Sequence, residues 1–328
     1  MYTHPRVCYV PSVAELQNSF TWSFSAAEDF EQCRRKRYWA KYGMWGGWKE
    51  DATPQQRAAY RLGKMENGYS LLGQAVETAA LWIIHQSQAG VAVTADQAYE
   101  SAARPFLNRA WKESKDGGWR QNPKKFVCLK ELYYQELDAD AKRAWVEMIV
   151  RQSKQCIATF LGSVLPRIAQ VKKEHELPIA TPAAGDPEHF HLEGIKIYAI
   201  PDYVYRQGSE VHIHDWKAGK VRERHQVQLC LYGLWAHVNH QVPAENIHVH
   251  IEYLADGHVD SRVLTADDLE QAKGRIAESV SEMAEYLVDG DLSRNVPCPK
   301  EDWELAASPS LCRLCNYYEL CAPELAET

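Results

Sequence analysis

Two aspartates and a lysine stand in an order that suits phosphodiester chemistry. Asp202 follows Pro201, twelve residues separate it from Asp215, and Lys217 comes two positions later in the run Asp215-Trp216-Lys217. Strand alternation puts side chains two apart on one face, so Asp215 and Lys217 share a face if that run is extended. Asp202 on a neighbouring strand can reach the same sheet edge. Carboxylate oxygens are hard ligands and suit Mg²⁺ or Mn²⁺. An ion held there would polarise a scissile phosphate and lower the pKa of an attacking water, with Lys217 orienting that water or countering developing charge. An Asp-x-Lys alone is commonplace and usually a surface pair. Here a Pro-Asp, a turn and the apolar strand Val211-His212-Ile213 precede it, and Gln228-Leu229-Cys230-Leu231-Tyr232 follows it. Four-residue spacing places Gln228 and Tyr232 on one helical face, where they can steer a nucleotide backbone.

A second constellation is sulfur. Cys312, Cys315 and Cys321 form C-x2-C-x5-C near the end of the chain, a spacing that lets thiolates converge on one metal centre, which needs a fourth ligand. Cys33 is the best candidate and Cys298 a rival; zinc and an iron–sulfur cluster both remain open. Cys8, Cys128, Cys156 and Cys230 read as ordinary buried thiols. A staple joining Cys33 to the trio closes a very long loop, so its expected role is structural.

The elements that must position these groups follow from periodicity. Residues 24–42 read as a helix with Ser25 as N-cap, and 54–88 as a second helical stretch with breaks at Gly68 or Gly73. Residues 95–175 look helical and strandless, and 1–20 irregular. Strands are expected at 191–198, 203–206, 211–216 and 247–253, helices at 222–240 and 266–287. The expected fold is α/β, a single unit over 1–328. It divides into an N-terminal segment (1–48), a helical insertion (90–185), a catalytic α/β core (187–290) and a C-terminal cysteine segment (291–328).

The chain has 328 residues, 45% of them apolar and 25% charged, enough for a sizeable core. No run approaches the ~20 apolar residues that cross a bilayer, and no signal-peptide pattern opens the sequence, so no membrane partner is expected and the cytoplasm is the expected location. Net charge is −7, which does not advertise a polyanion binder, yet a carboxylate metal site lowers the total and local clusters count for more. Arg34, Arg35, Lys36, Arg37 and Lys41 form one such cluster, and Lys217, Lys220, Arg222 and Arg224 another. Either alone reads as a solvated face. Beside the motifs above, Arg34, Arg35, Arg37, Lys220 and Arg222 become candidate nucleic-acid contacts, with Tyr38, Trp39, Tyr42, Trp45 and Trp48 as candidate stacking platforms.

Ile200-Pro201-Asp202-Tyr203, His214-Asp215-Trp216-Lys217-Ala218-Gly219-Lys220 and Gln228 to Tyr232 match in order and spacing three motifs of the PD-(D/E)XK nucleases. The chain resembles their RecB-like branch. The resemblance implies a restriction-endonuclease-like core, a mixed sheet flanked by helices. It also implies metal ligation by Asp202, Asp215 and the Trp216 carbonyl, and a catalytic Lys217. The family's helical histidine ligand corresponds to Glu77 here, a departure; His85 and Glu193 are weaker alternatives. The segment 22–39 together with the cysteine trio is similar to the iron–sulfur subset of that branch, which includes CRISPR-adaptation and AddB-type nucleases. This implies a [4Fe–4S] cluster on Cys33, Cys312, Cys315 and Cys321. The expected activity is Mg²⁺- or Mn²⁺-dependent hydrolysis of DNA, as an exonuclease on single strands or ends, with other subunits of a repair or defence complex as further candidate partners. A non-cleaving iron–sulfur DNA-binding subunit is the main alternative, and a zinc-bound interaction module a weaker one that leaves Asp202, Asp215 and Lys217 unexplained.

Overall fold

The computed structural model describes residues 16–135, 137–182 and 185–326; Cys8 and most of the stretch expected to be irregular lie outside them. Among the described residues the strands are β1 (Thr21–Ser23), β2 (Met65–Glu66), β3 (Cys128–Leu129), β4 (His189–Leu192), β5 (Ile195–Tyr198), β6 (Tyr203–Gln207), β7 (Glu210–Lys217), β8 (Ile247–Tyr253) and β9 (His258–Val263).

The sheet that positions the site runs β6-β7-β8-β9. β7 pairs antiparallel with β6 and parallel with β8, and β9 closes the edge antiparallel, so the sheet is mixed. The β6–β7 hairpin turns on Gly208 and Ser209, with Gly208 at φ 61°, a backbone state that glycine enters without a Cβ penalty. Parallel neighbours need a crossover, and the helix Arg224–His240 supplies it between β7 and β8.

Alternation divides the sheet into two faces. Val204, Val211, Ile213, Val249 and Ile251 pack with Leu229, Leu234 and Trp235 of that crossover helix and with Ile276 of the helix Ala266–Ala284. Trp235 is fully buried, and truncating a large core side chain of this kind costs about 3–5 kcal/mol. A Cβ at Gly233 would collide with the Leu264 side chain, so glycine lets the helix approach closely. Tyr203, Tyr205 and Trp216 face the other way, into a second core built on the helices Gly68–Gln88 and Ala139–Thr159.

Several expected elements differ in detail. The stretch 191–198 is two strands, β4 and β5, because Glu193 and Gly194 both take positive φ (50° and 81°) and make a two-residue turn. The 24–42 helix breaks at Cys33, whose extended backbone ends Phe24–Gln32 and caps Arg34–Tyr38. Its N-cap is Ser23 rather than Ser25, with Ser23 Oγ accepting from the Ala26 N–H at 3.2 Å. The 54–88 stretch divides into Pro54–Leu62 and Gly68–Gln88 around β2, without a break at Gly73. β1, β2, β3 and β9 lack the length or the apolar alternation that marks a strand in sequence. β3 interrupts the region expected to be strandless.

Candidate active site

Asp202 lies in the loop that enters β6, and Asp215 and Lys217 end β7 on its crossover-helix face. The Trp216 backbone N–H donates to Asp202 Oδ2 at 2.6 Å, which pins the loop to the strand. Lys217 Nζ lies 2.6 Å from Asp215 Oδ2. That buried oxygen accepts no geometrically regular hydrogen bond. Lys217 also donates to Gln228 Oε1 at 2.9 Å, Gln228 Nε2 donates to the Tyr232 hydroxyl at 2.8 Å, and Tyr232 donates to the Ile200 carbonyl at 3.1 Å. The helical pair read from its four-residue spacing therefore forms one chain of hydrogen bonds ending on the lysine. The Trp216 indole points away, stacked on Tyr203 and edge-on to Phe160.

Glu77 approaches this edge from the middle of the helix Gly68–Gln88. Burial raises its pKa, the charge of Asp215 raises it further, and Lys217 opposes both. Burial, then Asp215 and Glu77, push the Asp202 carboxyl well above the usual carboxylate range. Burial also raises Asp215, against the pull of Lys217. Three carboxyls, Asp215 buried and Glu77 and Asp202 half-buried, hinder one another's ionisation around a single ammonium and lack positive charge, and a divalent cation fits that need. Their oxygens are not all within the 4.8 Å that marks the tightest donor trio among the described residues. Mg²⁺ commonly keeps part of its water shell and takes only one or two carboxylates directly, so the wider spacing also fits. Neither alternative ligand joins them: Glu193 is exposed in the β4–β5 turn, and His85 is exposed two turns beyond Glu77.

A cleft of about 320 Å³ opens onto this edge, between Ser23, Phe24 and Glu28 on one side and Arg224, His225 and Gln228 on the other. His225 and Glu28 escaped the sequence reading. His225 Nδ1 lies 3.0 Å from the Tyr253 hydroxyl, and burial followed by the charge of Lys217 lowers its pKa to about 4. The signal was its place three residues before Gln228, on the same helical face. Glu28 pairs with Arg224 at 2.6 Å.

The basic candidates separate. Lys220 and Arg222 are exposed just past Lys217. Arg35 and Arg37, expected at a nucleic-acid face, are instead buried. Arg35 binds the Trp303 carbonyl at 2.8 Å and Glu324 at 2.5 Å, and Arg37 reaches the Thr21 carbonyl. Arg34 lies over the Phe30 ring at 3.8 Å and pairs with Glu282. Helix packing also takes the expected stacking platform: Trp39 is buried, and Tyr38 and Tyr42 pack on Trp303. Trp48 remains exposed.

Cys33, Cys312, Cys315 and Cys321 line one cavity of about 150 Å³, and all four are free thiols; Cys298 does not line it. Backbone N–H groups of Lys36 and Tyr317 approach the Cys33 and Cys315 sulfurs at 3.4 Å. Burial pushes the Cys315 thiol up to about 11, a cost that a bound cation relieves by taking thiolate ligands. No three of these sulfurs lie within 4.8 Å of one another, wider than four thiolates around one zinc at ~2.3 Å would sit.

A model of the PD-(D/E)XK nuclease superfamily matches residues 21–322, a span that takes in the carboxylate edge, the cleft and all four cysteines. No curated protein matches the chain.

Proposed function

This chain belongs to the PD-(D/E)XK nuclease superfamily, and we propose that within it the protein is a Mg²⁺- or Mn²⁺-dependent DNA exonuclease of the RecB-like branch. The observation that carries this reading is the meeting of Asp202, Asp215 and Lys217 at one sheet edge, with Glu77 arriving from the opposite layer. Asp202, Asp215 and the Trp216 carbonyl are the proposed direct ligands, and Glu77 acts directly or through water. When bound, the ion would polarise the scissile phosphate and lower the pKa of an attacking water. Lys217 holds its ammonium against Asp215 and contributes positive charge where the five-coordinate phosphoryl transition state gains negative charge. Gln228 and Tyr232 hold Lys217 in that position. Tyr232 keeps its proton, because burial and the two aspartates raise its pKa, so it remains a donor.

The cleft is a slot walled on two sides, which suits an unpaired strand or a frayed end. Lys220 and Arg222, exposed just past Lys217, are the proposed phosphate contacts. The four cysteines are proposed to hold a [4Fe–4S] cluster; their wide spacing favours it over a single zinc. Cytoplasmic location and assembly with other subunits of a repair or defence complex belong to the same proposal. No described helix is long and apolar enough to cross a membrane.

The test is cleavage of 5′- and 3′-labelled single- and double-stranded DNA with Mg²⁺ or Mn²⁺. Stepwise shortening of single strands supports the reading. Internal cuts in a closed circle would replace the exonuclease assignment. Binding without cleavage under either ion would support a DNA-binding subunit.

A further inference from the structure

On the other face of the site's sheet, β7 and β8 carry histidines at alternate positions, and their parallel register sets His212 opposite His248 and His214 opposite His250. The His212 and His248 rings lie 4.6 Å apart at 21°. Glu210, the first residue of β7, places one carboxylate oxygen 3.6 Å from His212 Nε2 and the other 3.6 Å from His248 Nε2. The three donor atoms all lie within 4.8 Å of one another, the only such trio among the described residues.

We propose that Glu210, His212 and His248 form a second metal site, separate from the carboxylate edge, for a zinc-type divalent ion. The 3.6 Å separations are too long for hydrogen bonds. They are close to the ~3.4 Å that separates two ligands at ~2.1 Å in a tetrahedral zinc shell. Binding an ion would draw the half-exposed Glu210 and the two imidazole nitrogens, all within 4.8 Å of one another, onto it.

The surroundings of His212 are compatible with the assignment. His212 Nδ1 lies 3.2 Å from His250 Nε2, and His250 Nδ1 lies 2.8 Å from Ser261 Oγ. Read as a chain of donors ending on Ser261, these contacts put the His212 proton on Nδ1 and leave a lone pair on Nε2. That nitrogen is shielded from solvent and has no hydrogen-bond partner. A ligating histidine whose second ring N–H is held in this way is the usual arrangement behind a metal. Protonating both rings to form ion pairs with Glu210 would stack two imidazolium cations 4.6 Å apart; one dication bound by two neutral rings avoids that repulsion.

Two imidazoles and a carboxylate favour zinc and its first-row neighbours over Mg²⁺. Asp215 lies five positions along the strand from Glu210, about 17 Å, and the two sites open on opposite faces. An ion here would tie the outer end of the β6–β7 hairpin to β8. This inference does not depend on the nuclease reading.

The test is calorimetric titration of Zn²⁺ and, separately, Mg²⁺ into the full-length protein and the Glu210→Gln, His248→Ala and Ser261→Ala variants, with thermal melts confirming folding. The wild type should bind one more equivalent of Zn²⁺ than His248→Ala. Glu210→Gln, at a half-exposed position that spares the core, should bind this equivalent at least tenfold more weakly. Ser261→Ala, which acts on His212 only through His250, should weaken it by less than Glu210→Gln does. Mg²⁺ binding should not change. Identical Zn²⁺ stoichiometry and affinity in wild type, Glu210→Gln and His248→Ala would overturn the site, and so would a matching loss of Mg²⁺ binding, which would assign these side chains to the carboxylate edge.

Discussion

At the carboxylate edge, Asp202, Asp215 and Lys217 come from sixteen consecutive residues and one hairpin; in the cysteine cavity, Cys33 meets Cys312 across 279 positions of sequence. The first group is placed by local rules. A two-residue turn fixes the β6–β7 register, and alternation then aims Asp215 and Lys217 together. The second group is placed only when the whole chain has folded, and other contacts between the ends assist it. Arg35 joins Glu324 and the Trp303 carbonyl, and Lys300 joins Glu324 at 2.7 Å. The difference separates two kinds of dependence. Damage at the edge should remove chemistry and leave the fold, whereas damage in the cysteine cavity should loosen the fold and reach chemistry only indirectly.

The largest effect expected is on cleavage. Asp202→Ala, Asp215→Ala and Lys217→Ala should each lower the rate by about 10³-fold or more, with thermal midpoint and colour close to wild type. A purified variant that keeps full activity removes that residue from the mechanism. If all three instead lose both colour and stability, the two regions are not independent.

Cys33→Ser probes the other side. Purified under air, the wild type should be brown and the variant colourless. Closing a loop of this length contributes on the order of 5 kcal/mol by chain entropy, and the Arg35–Glu324 contact retains part of it. Denaturant unfolding should therefore show a loss of a few kcal/mol, while the activity of the remaining folded fraction stays near wild type. A colourless wild type containing one equivalent of zinc at this cavity would replace the cluster with a zinc staple.

Legibility followed the same division. The hairpin was readable because Gly208 marks the turn and apolar alternation marks the strands, and the Gln228–Tyr232 pair because helical spacing alone brings those two together. Glu193-Gly194 was a turn signal inside what read as one strand, since His191 to Tyr198 alternates across it. β9 is mostly polar and half-exposed, so its sequence carries no core pattern. The burial of Arg35 and Arg37 depends on Trp303 and Glu324, far along the chain, and a basic run cannot announce partners at that distance. The histidine array was written at period two in both strands, His212-Ile213-His214 and His248-Val249-His250. Only the parallel register of β7 with β8 sets those pairs face to face.

pH offers a smaller, graded test of the edge. A carboxyl whose pKa is raised by folding binds its proton more tightly in the folded chain than in the unfolded one. It therefore contributes stability at low pH that is lost as pH rises from the ordinary carboxylate range of ~4 through the raised value. Glu77, Asp202 and Asp215 are all shifted in that direction. The metal-free protein should lose stability as pH rises, and added Mg²⁺, which competes with those protons, should raise the thermal midpoint more at pH 8 than at pH 5. An equal Mg²⁺ shift at both pH values would place the ion elsewhere.

The smallest effect expected is at Glu77, where the comparison is at its sharpest, because this residue alone reaches the edge from the other layer of the fold. Its carboxyl is half-buried and its charge is felt at Asp202, yet the three carboxylates are spaced too widely for all to touch one ion as they stand. A ligand acting through water contributes less than a direct one, and loss of such outer partners typically costs 10–100-fold in metal affinity. Glu77→Ala should therefore raise the Mg²⁺ concentration needed for half-maximal cleavage by about tenfold and leave the rate at saturating Mg²⁺ near wild type. Glu77→His should retain cleavage and shift preference toward Mn²⁺, because imidazole is the softer donor. The ratio of Mn²⁺ to Mg²⁺ activity measures this independently of folding losses. A Glu77→Ala titration that overlays the wild type would make Glu77 an ordinary helix residue and leave the two aspartates to hold the ion without it.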